Sequence, residues 1–180
     1  MEKHIQTPLT KEQVKTLKAG DYVYITGTIY TARDAAHKRM VEENKNSFPF
    51  ALENQIIYYL GPTPNREGQV IGSAGPTTSS RMDKYAPTLL DAGLTGMIGK
   101  GKRSDAVISS MKKNTAVYFA AVGGAGALLS KCIKKSEVIA YDDLGTEAIR
   151  KLYVENLPVI TVIDCYGENV YDTAPAKYRR

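Results

Sequence analysis

Apolar positions along the chain follow two rhythms, and the balance between them changes near residue 68. In "DYVYITGTIYTA" (21–32), Val23, Ile25 and Ile29 alternate with Tyr and Thr, the two-residue period of a strand or hairpin arm. Upstream, Thr10 is followed three residues later by Gln13, a capping box for a short helix over "TKEQVKTLK" that Gly20 ends. "RDAAHKRMVEENK" (33–45) predicts a helix with Ala36 and Met40, and Val41 beside them, turned inward. "FALENQIIYYLGPTP" predicts another strand, stopped at Gly61-Pro62.

Beyond residue 68, short apolar runs alternate with amphipathic stretches. "QVIGSAG", "LTGMIGKG", "TAVYFAAVG", "SEVIAYDDLG" and "LPVITVIDCYG" read as strands. "RMDKYAPTLLDAG", "RSDAVISSMKKN", the segment after "GGAG", and "TEAIRKLYVEN" read as helices. Strands alternating with helices predict βα units on a largely parallel sheet. The β-richer first part adds a second β-layer. No repeat or linker interrupts the pattern, so residues 1–180 are expected to form one α/β domain.

Composition changes this picture little. The chain is 43% hydrophobic and 24% charged, ordinary for a folded α/β protein. Its formal charge of +5 favours anionic small molecules or acidic partners and makes no case for nucleic acid. The two cysteines, Cys132 and Cys165, form no CxxC and no Cys/His cluster, so no metal site is expected within this chain. They read as small core residues in a reducing compartment. The start lacks the apolar run of a signal peptide, and no segment approaches the roughly 20 apolar residues of a membrane span. A cytoplasmic protein, away from membranes, is expected.

Two nucleotide signatures are approached and missed. In "GLTGMIGKG" five residues separate Gly93 from Gly99-Lys100, where a P-loop needs about four, and Gly101 replaces the Ser or Thr that would meet magnesium. In "GGAGALL", Leu129 fills the third glycine position of a dinucleotide fingerprint, leaving a tight strand-to-helix turn as the simpler reading. The loop "GSAGPTTSSRMDKY" (72–85) is more informative. It follows a predicted strand and precedes a predicted helix, whose free N–H groups and dipole would attract a carboxylate or phosphate. Thr77, Thr78, Ser79 and Ser80 could simply cap that helix, but capping uses one or two hydroxyls and leaves Arg81 opposing the dipole. Arg33, with His37 one turn on, and the run Lys100, Lys102, Arg103 would add cations along the same sheet edge, together describing a site for a dianion.

These motifs carry a resemblance. "GSAGPTTSSRMDKY", preceded by "TARDAAHKR" and followed about 20 positions later by "MIGKGKRS", is similar to the β-subunit, or C-terminal half, of the class I iron–sulfur fumarase/tartrate dehydratase family. The likeness covers essentially the whole chain, including "GGAGALL". "GPTT…RMD" is the most specific part, while "RDAAH" and "GKG" support it. The resemblance implies a swivelling three-layer β/β/α domain with a largely parallel sheet. It implies a hydro-lyase that hydrates fumarate reversibly to (S)-malate, with dehydration of L(+)-tartrate as the alternative. It further implies a [4Fe-4S] cluster bound by cysteines of a partner α-subunit, its open iron acting as a Lewis acid, and a hetero-oligomer whose active site lies between the chains. Thr77 matches the family's proton-transfer threonine, Arg33 and Arg81 its carboxylate-binding arginines, and Lys100 a lysine of the same site. Gly75, Thr78 and His37 stand beside these as supporting positions. From another class altogether, a loop that binds an anion without doing chemistry would show the same local features.

Overall fold

The computed structural model describes residues 1–121 and 125–178. Seven strands form one sheet in the order β1-β2-β3-β4-β5-β7-β6, and an extra β2–β7 pairing partly closes it. The strands are β1 (Glu2–Gln6), β2 (Tyr22–Thr31), β3 (Ile56–Tyr58), β4 (Gly96–Gly99), β5 (Val117–Ala120), β6 (Ile133–Ala140) and β7 (Ile149–Ile163). The helices are α1 (Lys11–Thr16), α2 (Asp34–Lys38), α3 (Ala86–Asp91), α4 (Asp105–Asn114), α5 (Gly126–Lys131) and α6 (Val170–Tyr178). Locally written elements fall where expected. Thr10 and Gln13 satisfy each other's backbone amides in a complete capping box at α1. On β2, Val23, Ile25, Ile29 and Thr31 are buried in strict alternation.

The sheet is mixed, not largely parallel. β1, β2, β3, β4 and β5 pair in parallel in sequence, but β7 runs antiparallel to β2, β5 and β6. The cause is the segment 146–156, expected as a helix and found largely inside the fifteen-residue strand β7. Its buried positions Ile149, Leu152, Val154 and Leu157 include two spacings of three, which imitate a helical face. The second comes from a bulge: Asn156 takes φ 49°, and the register opposite shifts between Ile25 and Gly27.

Two further expectations fail for physical reasons. "QVIGSAG" is not a strand, because β3 and β4 pair directly with each other and leave no slot for one. "RMDKYAPTLLDAG" is not one helix: Ser79–Met82 forms a 3₁₀ turn, and α3 starts only at Ala86, where Pro87 is tolerated in a first turn but would break a helix interior. The helix expected over 33–45 likewise shortens to α2 followed by a wider π turn, Arg39–Glu43.

Successive residues of β3 enter different cores. Ile56 and Tyr58 pack with Ile98, Phe119 and the inward residues of β2 and β7. Ile57 and Tyr59 pack with Met97, Tyr118 and the apolar residues of α2, α3 and α4. Burial on both faces explains why β3, β4 and β5 read as unbroken apolar runs. It also leaves the C-terminal ends of these strands as the rim where loops can present polar groups.

Candidate active site

At that rim the 76–79 loop is held between two strand ends. Pro76 bridges to Leu60 just beyond β3, and Thr78 bridges to Lys100 just beyond β4. The Thr77 N–H donates to the Tyr59 carbonyl (2.7 Å) and the Ser79 N–H to the Lys100 carbonyl (2.9 Å). Gly99 makes the seat possible, since a Cβ there would run into Ser79 Oγ and lie 2.9 Å from the Tyr59 ring. From below, the Tyr118 hydroxyl sits 2.9 Å from Ser79 Oγ and 2.8 Å from the Gly101 carbonyl. A carbonyl can only accept, so the phenol proton serves Gly101 and leaves Ser79 to donate to the phenol oxygen.

The hydroxyls do not cap a helix. Among the described residues neither the 3₁₀ turn nor α3 has a side-chain cap, and α3 starts only at Ala86, so the long helix expected to begin beneath Arg81 is replaced there by the 3₁₀ turn. Arg33, extended at the start of α2, lies over Gly61, whose Cβ would sit 2.5 Å from Nη1. Its Nε is 4.0 Å from Glu147 Oε1, which also accepts from the Ala35 N–H at 3.2 Å. Asp34 takes Arg81 by one oxygen, Oδ2, at 2.7 Å from Nε and 2.6 Å from Nη2. Asp34, the residue after Arg33 in the chain, therefore ties Arg81 to the start of α2, and the strand ends bring together Thr77, Thr78 and Lys100. Lys100 and Lys102 are exposed.

Arg103 departs from the expected basic rim. Its side chain is wholly buried, donating from Nε to Asp83 (2.7 Å) and from Nη2 to the Tyr59 hydroxyl (3.1 Å). The guanidinium stands 5.2 Å from the Tyr59 ring centre and 4.9 Å from that of Tyr118. Burial works against its charge, yet Tyr59 and the Asp83 carboxylate outweigh it and favour the cation. Arg103 braces the rim from inside.

His37 is buried as well. Its Nδ1 lies 2.8 Å from the Arg33 carbonyl, which makes Nδ1 the protonated nitrogen, and Nε2 has no partner among the described residues. Burial drives the imidazole pKa down to about 4, against the Arg33 hydrogen bond and with help from the Arg103 charge. The ring meets Tyr59 edge-on at 5.5 Å. His37 is thus neutral near pH 7 and supports Arg33 through its backbone.

Among the described residues, a Cβ at Gly75 would meet Gly126 Cα at an ordinary 3.9 Å. The crowded position is Gly126, whose Cβ would press on Ser73 Oγ and sit 2.9 Å from the Gly75 nitrogen. Gly123 and Gly124 of the expected tight turn lie outside the described residues. Glu147 and Asp83 were missed from sequence, and Asp34, read there as offsetting Arg33 at a helix start, was missed as the partner of Arg81, although "RD" and "RMD" set two of these carboxylates one or two residues from an arginine. Among the described residues, no group of three or more His, Cys, Asp or Glu is placed to hold a metal. Both cysteines are free thiols, Cys165 buried and Cys132 partly so. These residues do not fit an iron–sulfur cluster. Among the described residues, no helix is long and apolar enough to cross a membrane.

Fold and rim together define a mixed α/β domain with a hydroxyl-bearing loop flanked by arginines and a lysine. The chain belongs to the fumarase C-terminus family, whose model matches residues 2–174. A Methanocaldococcus jannaschii protein provisionally named L(+)-tartrate dehydratase subunit beta is 37% identical over 177 residues, spanning 94% of this chain and 91% of that one. "Fumarate hydratase 2" of Leishmania major is 35% identical, covering 93% of this chain but 30% of its own length. "Fumarate hydratase class I, aerobic" of Escherichia coli is 38% identical over 151 residues, 82% of this chain and 28% of its own length. The chain therefore spans less than a third of these fumarate hydratases and nearly all of the tartrate dehydratase subunit.

Proposed function

We propose that the chain is the β-subunit of a hydro-lyase that reversibly hydrates fumarate to (S)-malate, its site completed by a cluster-bearing α-subunit. The observation that carries this reading is the convergence at one strand-end rim of Thr77, Lys100 and the Asp34-linked pair Arg33 and Arg81, within a chain of the fumarase C-terminus family. Guanidinium forks and a lysine suit a planar dicarboxylate, and placed cations offset the negative charge that develops when a proton leaves the carbon beside a carboxylate. Thr77 moves that proton: its hydroxyl passes its own proton to a base on the partner as it takes one from the malate carbon, the C–O bond on the neighbouring carbon breaks with loss of hydroxide, and hydration runs the same steps in reverse. A threonine needs help to act as a base, and that help comes from the partner. Thr78 holds the loop through its bridge to Lys100, and His37 holds Arg33 through its carbonyl.

The [4Fe-4S] cluster belongs to the α-subunit in this reading, since the described residues here offer no ligand set for it. The domain runs over 1–180 as one unit, supported by a single sheet that contains all seven strands. A swivelling β/β/α arrangement of three layers is supported by β3, whose two faces enter a β-lined and a helix-lined core. Two free thiols suit a cytoplasmic setting. Tartrate is the second reading, favoured by one observation: the relative matched over 91% of its length bears that name and is itself a separate subunit.

The test is anaerobic assembly with the cluster-bearing partner and assay of malate, fumarate and L(+)-tartrate. Thr77→Ala in the assembled enzyme is expected to lower kcat about a hundredfold or more with KM nearly unchanged. A rise in KM alone would make Thr77 a binding residue. Turnover of tartrate but not malate would decide for the second reading, and full activity of this chain alone would refute the divided site.

A further inference from the structure

We infer that Asp34 is a positioning residue that aims Arg81, an inference that rests on the proposed role of Arg81 in holding a substrate carboxylate. Arg81 projects from a short 3₁₀ turn, and its side chain is about half exposed. A free arginine in that setting would sample many rotamers and spend its order on binding. Asp34 prevents this by taking the side edge of the guanidinium, Nε and Nη2, with the single oxygen Oδ2. The end edge, formed by one Nη1 proton and the second Nη2 proton, has no partner among the described residues. Two parallel N–H groups of that edge match the two oxygens of a carboxylate.

The pairing itself argues for aim over stability. A pair built for strength would engage both carboxylate oxygens, yet Asp34 Oδ1 is buried without a partner among the described residues. Asp34 is also fixed in place: it opens α2, and the next amide, Ala35 N–H, is anchored by Glu147. Glu147 in turn stands beside Arg33, its Oε1 4.0 Å from the Arg33 Nε, so each of the two arginines has an acid on its Nε side. Losing the Asp34 charge would leave Arg81 a freer cation pointed less well. The substrate would still be attracted, and the geometry of its attack would suffer.

The experiment is a double-mutant cycle in the assembled enzyme with Asp34→Asn, Arg81→Gln and the combination, assayed with malate and fumarate, and with L(+)-tartrate if that is the substrate turned over. Asp34→Asn should lower kcat about tenfold with KM changed by less than about threefold, and thermal midpoints should stay within a few degrees of the parent. On the Arg81→Gln background, Asp34→Asn should change kcat/KM by less than about twofold, because its effect passes through Arg81. Fully additive losses would overturn the inference, as would an unchanged kcat for Asp34→Asn while Arg81→Gln is impaired. A normal kcat/KM for Arg81→Gln would instead sink the carboxylate role of Arg81, and the inference with it.

Discussion

Two arginine–aspartate pairs stand within a few residues of each other, and they teach opposite lessons. Arg103 and Asp83 are linked at 2.7 Å, with side chains 0% and 15% exposed. Arg81 and Asp34 are linked at 2.6 Å, with side chains 51% and 33% exposed. Charge type and distance are almost the same. Surroundings differ: the first pair is stacked on Tyr59 and Tyr118 and also ties down the Ser104 amide, while the second is partly exposed and, among the described residues, engages Arg81 only at Nε and Nη2. The buried pair is a brace, and the exposed pair is a tool.

The sharpest way to break this contrast is Asp83→Ala. It strands the Arg103 charge in the core and frees the Ser104 N–H at the start of α4, so a loss of about 3–5 kcal/mol is expected. Urea or thermal unfolding would measure it. A loss below about 1 kcal/mol would mean that the core tolerates an unpaired guanidinium, and the brace reading would fall.

His37 sharpens the comparison from the buried side, where it faces Tyr59 and Tyr85 and feels the charges of Arg103 and Asp34. Its folded pKa of about 4 lies below the ordinary 6.5. Between those values the unfolded chain binds the extra proton, so stability is full above about pH 6.5 and drains as pH falls towards 4, by up to roughly 3 kcal/mol. His37→Gln should remove that part of the slope. The quantity to measure is the difference between the two stability curves from pH 4 to 7; parallel curves would show that His37 does not titrate as described.

Legibility in the sequence follows the same division between local and distant causes. The Thr10 capping box, the alternation in β2 and the 76–81 loop depend on neighbours a few residues away, and they were readable. The 146–156 segment was misread because Ile149 and Leu152, three apart, enter different cores, and a bulge at Asn156 sets Val154 and Leu157 three apart as well, features fixed by packing across the sheet. β1 carries only Ile5 as an apolar signal, and α6 holds Pro175 in its interior, so neither announces itself. At the rim, Arg33, Arg81, Lys100 and Thr77 were found through the motifs that contain them. Arg103 was grouped with the exposed lysines because nothing in "GKGKRS" says which cation turns inward. That depends on Asp83, twenty residues earlier, and on two tyrosines from β3's end and β5.

The smallest expected effect completes the contrast. Asp34→Ala removes the same functional group as Asp83→Ala, from a pair of almost the same length, yet should cost only about 1 kcal/mol of stability. The screened ion pair and a favourable charge at the start of α2 are lost, each worth a fraction of a kcal/mol to about one. Against that, deleting the carboxylate also relieves Oδ1, which is buried without a partner among the described residues, and frees Arg81 to be hydrated. Unfolding of both alanine variants side by side gives the answer as a difference, in which shared errors cancel. If Asp34→Ala proved as damaging as Asp83→Ala, exposure would not be what separates the pairs. Arg81 would then be a second brace, and its guanidinium would have no free edge to offer a substrate.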